Sequence, residues 1–256
     1  MNMAPGESSA DIPVVIFAGG DLVDLQGRLQ PKACVRVGGR SLLAHVVQQF
    51  RSHGFHQFLV CSGAGHEQVV RESASLAEAA AASHGAAPVI DVRFTGDSAG
   101  TACRLRQALE TLPSARTVAI SYVDIVSDVD LTAVRQTHDT EGVAATLTAV
   151  NLPTRFKPLG VNLFSSRVRG LATKPITEDT LVTGGYYFLN RELFAAAIGD
   201  WSGHQSFEEQ TLPCLAAAAN LVYHKHDGYW QPIDSGRDVR MAEKFLSSRS
   251  QNPISS

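Results

Sequence analysis

The chain has 256 residues and a formal net charge of −3, with its charged residues dispersed along its length. That length suffices to bury a substantial core, and the lack of a basic stripe excludes a nucleic-acid backbone or an anionic membrane surface as the expected partner. Cys34, Cys61, Cys103 and Cys214 stand apart with no Cys-x-x-Cys and no histidine at zinc-ligand spacing, so neither a disulfide framework nor a structural zinc is expected.

Residues 1–11 are polar and lack the apolar centre of a signal peptide, and no apolar run matches a bilayer span, so the expectation is a cytoplasmic protein. Pro13-Val14-Val15-Ile16-Phe17 is a short β-branched run closed by Ala18-Gly19-Gly20, which predicts a buried strand feeding a glycine turn. Ser41 is placed to cap a helix through Leu42, Leu43, Val46, Val47 and Phe50, with Gly54 stopping it. Strands are predicted at 57–61, 89–94, 117–121 and 143–150, with helical patterns between them, including an alanine-rich one at 67–82. Strands alternating with helices imply an α/β fold with a Rossmann-like, doubly wound, mostly parallel sheet.

After Pro153 come apolar runs at 160–164 and 181–189, then helices at 191–198 and 207–218. No linker, repeat or low-complexity stretch separates this part. The expectation is a single domain over 12–246, with 151–246 as a small C-terminal extension packed on the sheet of 12–150. Residues 1–11 and 247–256 read as flexible tails.

Several residues suggest chemistry. Ala18-Gly19-Gly20 presents backbone N–H groups with no side chains in the way, which suits close approach of a base or phosphate, although a plain strand-end turn has the same composition. There is no Gly-x-Gly-x-x-Gly and no Gly-Lys-Ser/Thr, which disfavours a dehydrogenase-type dinucleotide site and a P-loop. Asp124 follows a predicted strand at its carboxyl end, where parallel α/β sheets place ligands. Asp128 or Asp130 suits the N-cap of the helix starting near Leu131.

The run His226-Asp227-Gly228-Tyr229-Trp230-Gln231-Pro232-Ile233-Asp234-Ser235-Gly236-Arg237-Asp238 resembles the C-terminal signature of the sugar-1-phosphate nucleotidyltransferases, in particular their cytidylyl branch, of which glucose-1-phosphate cytidylyltransferase is the type. Further likenesses follow in the family's order: Pro31-Lys32, Gly38-Gly39-Arg40, the stretch from Thr95-Gly96 to Arg104-Leu105, Tyr122-Val123-Asp124, Thr173-Lys174-Pro175, Gly184-Gly185-Tyr186-Tyr187-Phe188 and Phe207-Glu208. The resemblance covers nearly the whole chain and implies the glycosyltransferase A-like form of the sheet.

It further implies a nucleotide-binding half over 12–150 and a sugar-phosphate-binding half over 151–246, with Ala18, Gly19, Gly20, Lys32, Arg104 and Tyr122 binding the nucleotide and Lys32, which could otherwise be a solvated loop lysine, acting as a mobile point charge on its phosphates. Lys174, Thr183 and Gly184 would receive the sugar phosphate, and Asp124 and Asp234 would share a magnesium ion. The implied substrates are a nucleoside triphosphate, CTP first, and a sugar 1-phosphate, and a homo-oligomer is implied by the family alone. The chain also departs from the family. Leu22-Val23-Asp24-Leu25 stands where the family has Gly-Thr-Arg-Leu, in a shortened loop, so Asp24 replaces a triphosphate-binding arginine. Arg28 would have to present itself as the replacement catalytic cation. Val123 and Ile125 replace glycines beside Asp124, Ala99 replaces a threonine, Thr173 a glutamate and Thr183 an asparagine. These changes keep a second reading open, a catalytically impaired relative that binds a nucleotide or nucleotide sugar or scaffolds a partner enzyme.

Overall fold

The computed structural model describes residues 7–82, 87–112, 114–151, 159–161, 168–171, 181–198 and 206–251, the backbone alone for 159–161, 168–171 and 250–251. The first strand, β1 (Pro13–Ala18), is buried along its whole length. It is followed by α1 (Leu42–Arg51), β2 (Gln57–Ser62), α2 (His66–Ala82), β3 (Val89–Phe94), α3 (Thr101–Thr111) and β4 (Thr117–Tyr122). Then come a short strand β5 (Ile125–Ser127), α4 (Leu131–Glu141), β6 (Ala145–Asn151), β7 (Leu181–Asn190), α5 (Arg191–Ile198), α6 (Leu212–Ala217), β8 (Leu221–His226), β9 (Trp230–Pro232) and α7 (Gly236–Gln251).

The main sheet has seven strands in the order β8-β6-β7-β4-β1-β2-β3. All neighbours are parallel except that β7 runs antiparallel to both β4 and β6. The chain winds outward from β1 through β2 to β3, then returns by α3 to lay β4 on the other side of β1. That reversal leaves a crevice at the carboxyl ends of β1 and β4, where sheets of this kind bind ligands. Strands from both parts of the chain, before and after residue 151, enter this one sheet.

Alternation along the strands sorts the core into two layers. Val14, Ile16, Phe58, Val60, Ala119, Tyr186 and Phe188 face α1, α2 and α4. Val15, Phe17, Leu59, Val118, Ile120, Tyr187 and Leu189 face α3, α5 and α6. A third cluster of Val35, Val37, Leu42, Val126, Ile233, Val239 and Ala242 packs α7 beneath β5 and β9.

Two helix starts follow the sequence expectation: Ser41 Oγ accepts from Ala44 N at 3.1 Å, and Asp130 Oδ1 accepts from Thr132 N and Ala133 N at 2.9 and 3.0 Å. The expected single helix over 207–218 is instead a wide π turn at Phe207–Thr211 followed by α6. Pro213 has no amide hydrogen for the carbonyl four residues back, so the regular ladder cannot run through this point. Helix α7 continues through the expected start of the C-terminal tail to Gln251, with Arg249 paired to Asp128 and lying over the Phe245 ring. Among the described residues no helix is long and apolar enough to cross a membrane.

Candidate active site

The crevice between β1 and β4 opens into a cavity of about 340 Å³, walled by Phe17, Ala18, Gly19, Gly20, Asp21, Val23, Pro31, Lys32, Thr101, Arg104 and Tyr122 to Asp124. A larger concavity of about 490 Å³ lies between α1 and α7, but neither Asp124 nor Asp234 lines it. Of the expected site residues, Lys32, Arg104, Tyr122 and Asp124 wall the smaller one.

Its floor is made by a glycine and a buried arginine. A Cβ on Gly19 would stand 2.0 Å from Arg104 Cζ, so this position can carry no side chain while the guanidinium lies beneath it. Arg104 comes from the first turn of α3 and is 2% exposed. It donates from Nη1 to Ser62 O at 2.9 Å and to Thr95 Oγ1, and from Nη2 to Asp97 O at 3.4 Å. Burial lowers its pKa, but a guanidinium remains charged in proteins. These three partners are neutral oxygens, so the pocket floor carries a positive charge that an anion can balance.

Across the mouth lies Lys32, on the short turn after Pro31. Its Nζ donates to Asp124 Oδ2 at 2.8 Å and to Asp234 Oδ1 at 2.7 Å. Burial alone would depress this ammonium's pKa, but the charge and hydrogen bond of Asp124, joined by those of Asp234, outweigh burial and raise it. Residues 92 and 202 positions from Lys32 thus meet at one point.

The convergence has a local cause. β9 pairs antiparallel with β5, Gln231 opposite Val126 and Pro232 opposite Ile125, and Ile233 N donates to Asp124 O at 2.8 Å. Asp238, 1% exposed, then shapes the turn that carries Asp234 by accepting from Asp234 N at 3.2 Å and Ser235 Oγ at 2.7 Å.

Among the described residues no group of three or more His, Cys, Asp or Glu side chains is placed to hold a metal. Two carboxylates already face one cation position, however, and that position holds the Lys32 ammonium. A hard divalent ion bound there would take one oxygen from each and its remaining ligands from phosphate and water, as magnesium ordinarily does. The donor set fits such an ion once Lys32 has moved to another anion.

Other expected site residues are placed as follows. Tyr122 lines the cavity with its ring edge-on to Phe17, and burial followed by the charge of Glu208 raises its phenol pKa. Thr183 and Gly184 lie at the end of β7 nearest Tyr122, and the Gly184 carbonyl accepts from Trp230 Nε1 at 2.9 Å. Lys174 lies outside the described residues. Arg28 and Asp24 are both exposed on the ribbon formed by Val23–Asp24 and Leu29–Gln30, and neither walls the cavity. The structure does not bring Arg28 together with Lys32 and Arg104.

Asp128 serves neither as cap nor as cavity wall. It accepts from Tyr229 N at 2.7 Å, with His226 Nε2 at 3.3 Å and Arg249 Nη1 at 3.4 Å. Tyr229 stacks on Phe245 at 3.6 Å between centroids. Much of the aromatic and charged density of residues 226–238 therefore fastens α7 and β9 to the sheet. Val123 and Ile125, which replace family glycines, are 4% and 5% exposed. Ile125 Cδ1 would lie 2.2 Å from a Cβ on Gly185, whose φ is +75°, so residue 185 must remain glycine on both counts. Sequence reasoning assigned no role to Tyr187, Glu208 or Asp238. The signal available was that all three sit inside the family-like runs, Tyr187 in 184–188, Glu208 in Phe207-Glu208 and Asp238 in 226–238.

The sequence matches the nucleotidyl transferase family over residues 14–248. It is similar to the glucose-1-phosphate cytidylyltransferases of Salmonella typhimurium and Salmonella typhi, in each case 29% identical over 240 residues covering 88% of this chain and 91% of the relative. In fold it is similar to a Bacillus anthracis chain provisionally assigned as a glucose-1-phosphate thymidylyltransferase and solved with a sucrose, with a TM-score of 0.67, 14% identity, and coverage of 91% of this chain and 94% of that one. It is likewise similar to HddC from Yersinia pseudotuberculosis complexed with GMP-PN, with a TM-score of 0.64, 16% identity, and coverage of 92% and 99%.

Proposed function

Since this chain belongs to the nucleotidyl transferase family, we propose that it joins CTP to a sugar 1-phosphate, glucose 1-phosphate first, releasing pyrophosphate and leaving a CDP-sugar. The observation that carries the reading is the Lys32 ammonium held between Asp124 and Asp234 at the mouth of a glycine-floored cavity that has a buried arginine beneath it. The names of the curated relatives support the choice of cytidine and glucose.

The residues divide the work by charge. Gly19 and Gly20 let the nucleotide approach the backbone, and Arg104 supplies a fixed positive charge under it. Lys32 leaves the carboxylates for the phosphates, where a flexible point charge tracks the shifting negative charge. Asp124 and Asp234 are then free to bind magnesium, which when bound neutralises phosphate charge. Thr183 and Gly184, with Lys174 beyond the described residues, hold the sugar phosphate so that its oxygen meets the α-phosphate in line with the departing pyrophosphate. The nucleophile is already an anion, so the nine histidines need no catalytic role.

The test is pyrophosphate release with magnesium across the nucleoside triphosphates and a panel of sugar 1-phosphates. The expected result is release that requires both substrates and is fastest with CTP. Absence of release with every triphosphate in the panel would replace this reading with that of a non-catalytic relative.

A further inference from the structure

Three side chains at the end of β7 have a hydrogen order that the proposed catalysis does not use. The Tyr187 hydroxyl, in a residue 1% exposed, donates to Glu208 Oε1 at 2.5 Å and lies 2.6 Å from Thr183 Oγ1. A carboxylate only accepts, and a phenol has one hydrogen. With that hydrogen on Glu208, the Tyr187 oxygen is left to accept, and the Thr183 hydrogen must point to it. Burial, then the Glu208 charge, holds the Tyr187 phenol far above its ordinary pKa, so the hydrogen stays in place. Thr183 Oγ1, which also receives Gly185 N at 3.4 Å, has no hydrogen left to give.

This relay adjoins the cavity at two points. A Cβ on Gly185 would stand 3.5 Å from Tyr122, which walls the cavity. The turn carrying Glu208 is tied to the same wall, because Phe207 N donates to Thr101 Oγ1 at 2.9 Å.

We propose that Glu208 and Tyr187 are positioning residues for sugar recognition: they fix Thr183 as an acceptor-only contact, so that this site takes a sugar 1-phosphate with a donating hydroxyl facing Thr183 and rejects one with an acceptor-only group there. The inference rests on the reading that a sugar 1-phosphate occupies this end of the cavity. An acceptor facing an acceptor leaves both desolvated and unpaired, and hydrogen-bonding sites discriminate strongly on that ground.

The experiment is calorimetric titration of the full chain with α-D-glucose 1-phosphate and with its monodeoxyfluoro counterparts, one hydroxyl replaced at a time, in the presence of a non-hydrolysable CTP analogue. Fluorine keeps the size of the hydroxyl but cannot donate. One counterpart is expected to bind the parent at least about tenfold more weakly than glucose 1-phosphate. Tyr187→Phe removes the oxygen that takes the Thr183 hydrogen, and Glu208→Leu removes the acceptor so that the Tyr187 hydrogen can turn to Thr183, so in both variants binding of that one counterpart should recover and the ratio fall towards one. A merely structural role would weaken every sugar phosphate alike. Equal binding of all counterparts by the parent, a gap that survives in both variants, or no binding of any sugar phosphate overturns the proposal. A gap of the expected kind without pyrophosphate release would instead leave this inference standing and remove the catalytic reading.

Discussion

Lys32 holds the position that a divalent ion would need, so its removal has two opposite consequences. Lys32→Ala should lower turnover and CTP affinity by about a hundredfold, the scale on which a charged phosphate contact acts. The same variant should bind manganese more tightly without nucleotide, because no ammonium competes for Asp124 and Asp234. Calorimetry with the metal alone checks the second effect, and unchanged or weaker metal binding would mean that the carboxylates do not share a cation position. Beneath them, Gly19→Ala would force the Arg104 guanidinium from its place. Nucleotide affinity is expected to fall at least about tenfold, with a loss of order 1–3 kcal/mol in stability as the displaced group gives up its hydrogen bonds. Nucleotide titration and chemical denaturation read the two effects separately.

His138 yields a prediction independent of catalysis. Burial lowers its pKa to about 4, and it is 4% exposed with Nδ1 2.9 Å from Thr146 Oγ1. Because the folded value lies below the ordinary 6.5, the unfolded chain binds the proton more readily. This residue therefore costs nothing above pH 6.5 and destabilises progressively as pH falls towards 4, by roughly 3 kcal/mol at the lower end. His138→Asn, which can keep the bond to Thr146, should flatten the pH dependence of the denaturation midpoint across that window. The chain drew attention to Asp124 by its place at a strand end, and to Lys32 and Asp234 only through the family resemblance of their segments. It did not show which groups touch: the link of Tyr187 to Glu208 depends on a π turn set by Pro213, and the exposed placement of Arg28 depends on a two-residue ribbon too short to leave a pattern.

Among the elements, the pairing of β5 with β9 sets the distance between the two aspartates. Asp128 secures that pairing through Tyr229 N, His226 and Arg249. Asp128→Ala should cost about 1–3 kcal/mol of stability by leaving these donors without their acceptor. Turnover should fall beyond what the lost stability explains, because Asp234 would no longer be held opposite Asp124. Denaturation and steady-state rates on the same preparation check this, and a full rate from a destabilised protein would show that the lock does not position the site. The long strands and α1 to α4 were readable from apolar spacing and caps such as Ser41 and Asp130. The β5–β9 pair was not, because strands of three residues separated by more than a hundred positions carry no periodicity.

On the scale of the whole molecule, the return of α3 across the sheet creates the crevice in which Gly19, Lys32, Arg104 and Asp124 meet. The alternation of strands and helices foretold a mostly parallel sheet, but it contained nothing to indicate that β7 would enter antiparallel between β4 and β6. That insertion brings the Thr183 end of β7 to the carboxyl end of β4, beside the cavity, where the proposed reaction needs its two substrates to meet. The central claim, that these parts form a working nucleotidyltransferase, is tested most directly by phosphorus NMR of the protein with CTP, glucose 1-phosphate and magnesium. The account predicts that the signals of both substrates decline together while those of pyrophosphate and of a CDP-sugar diphosphate rise in equal amounts. Unchanged substrate spectra, or CTP breakdown that proceeds equally without the sugar phosphate, would contradict it.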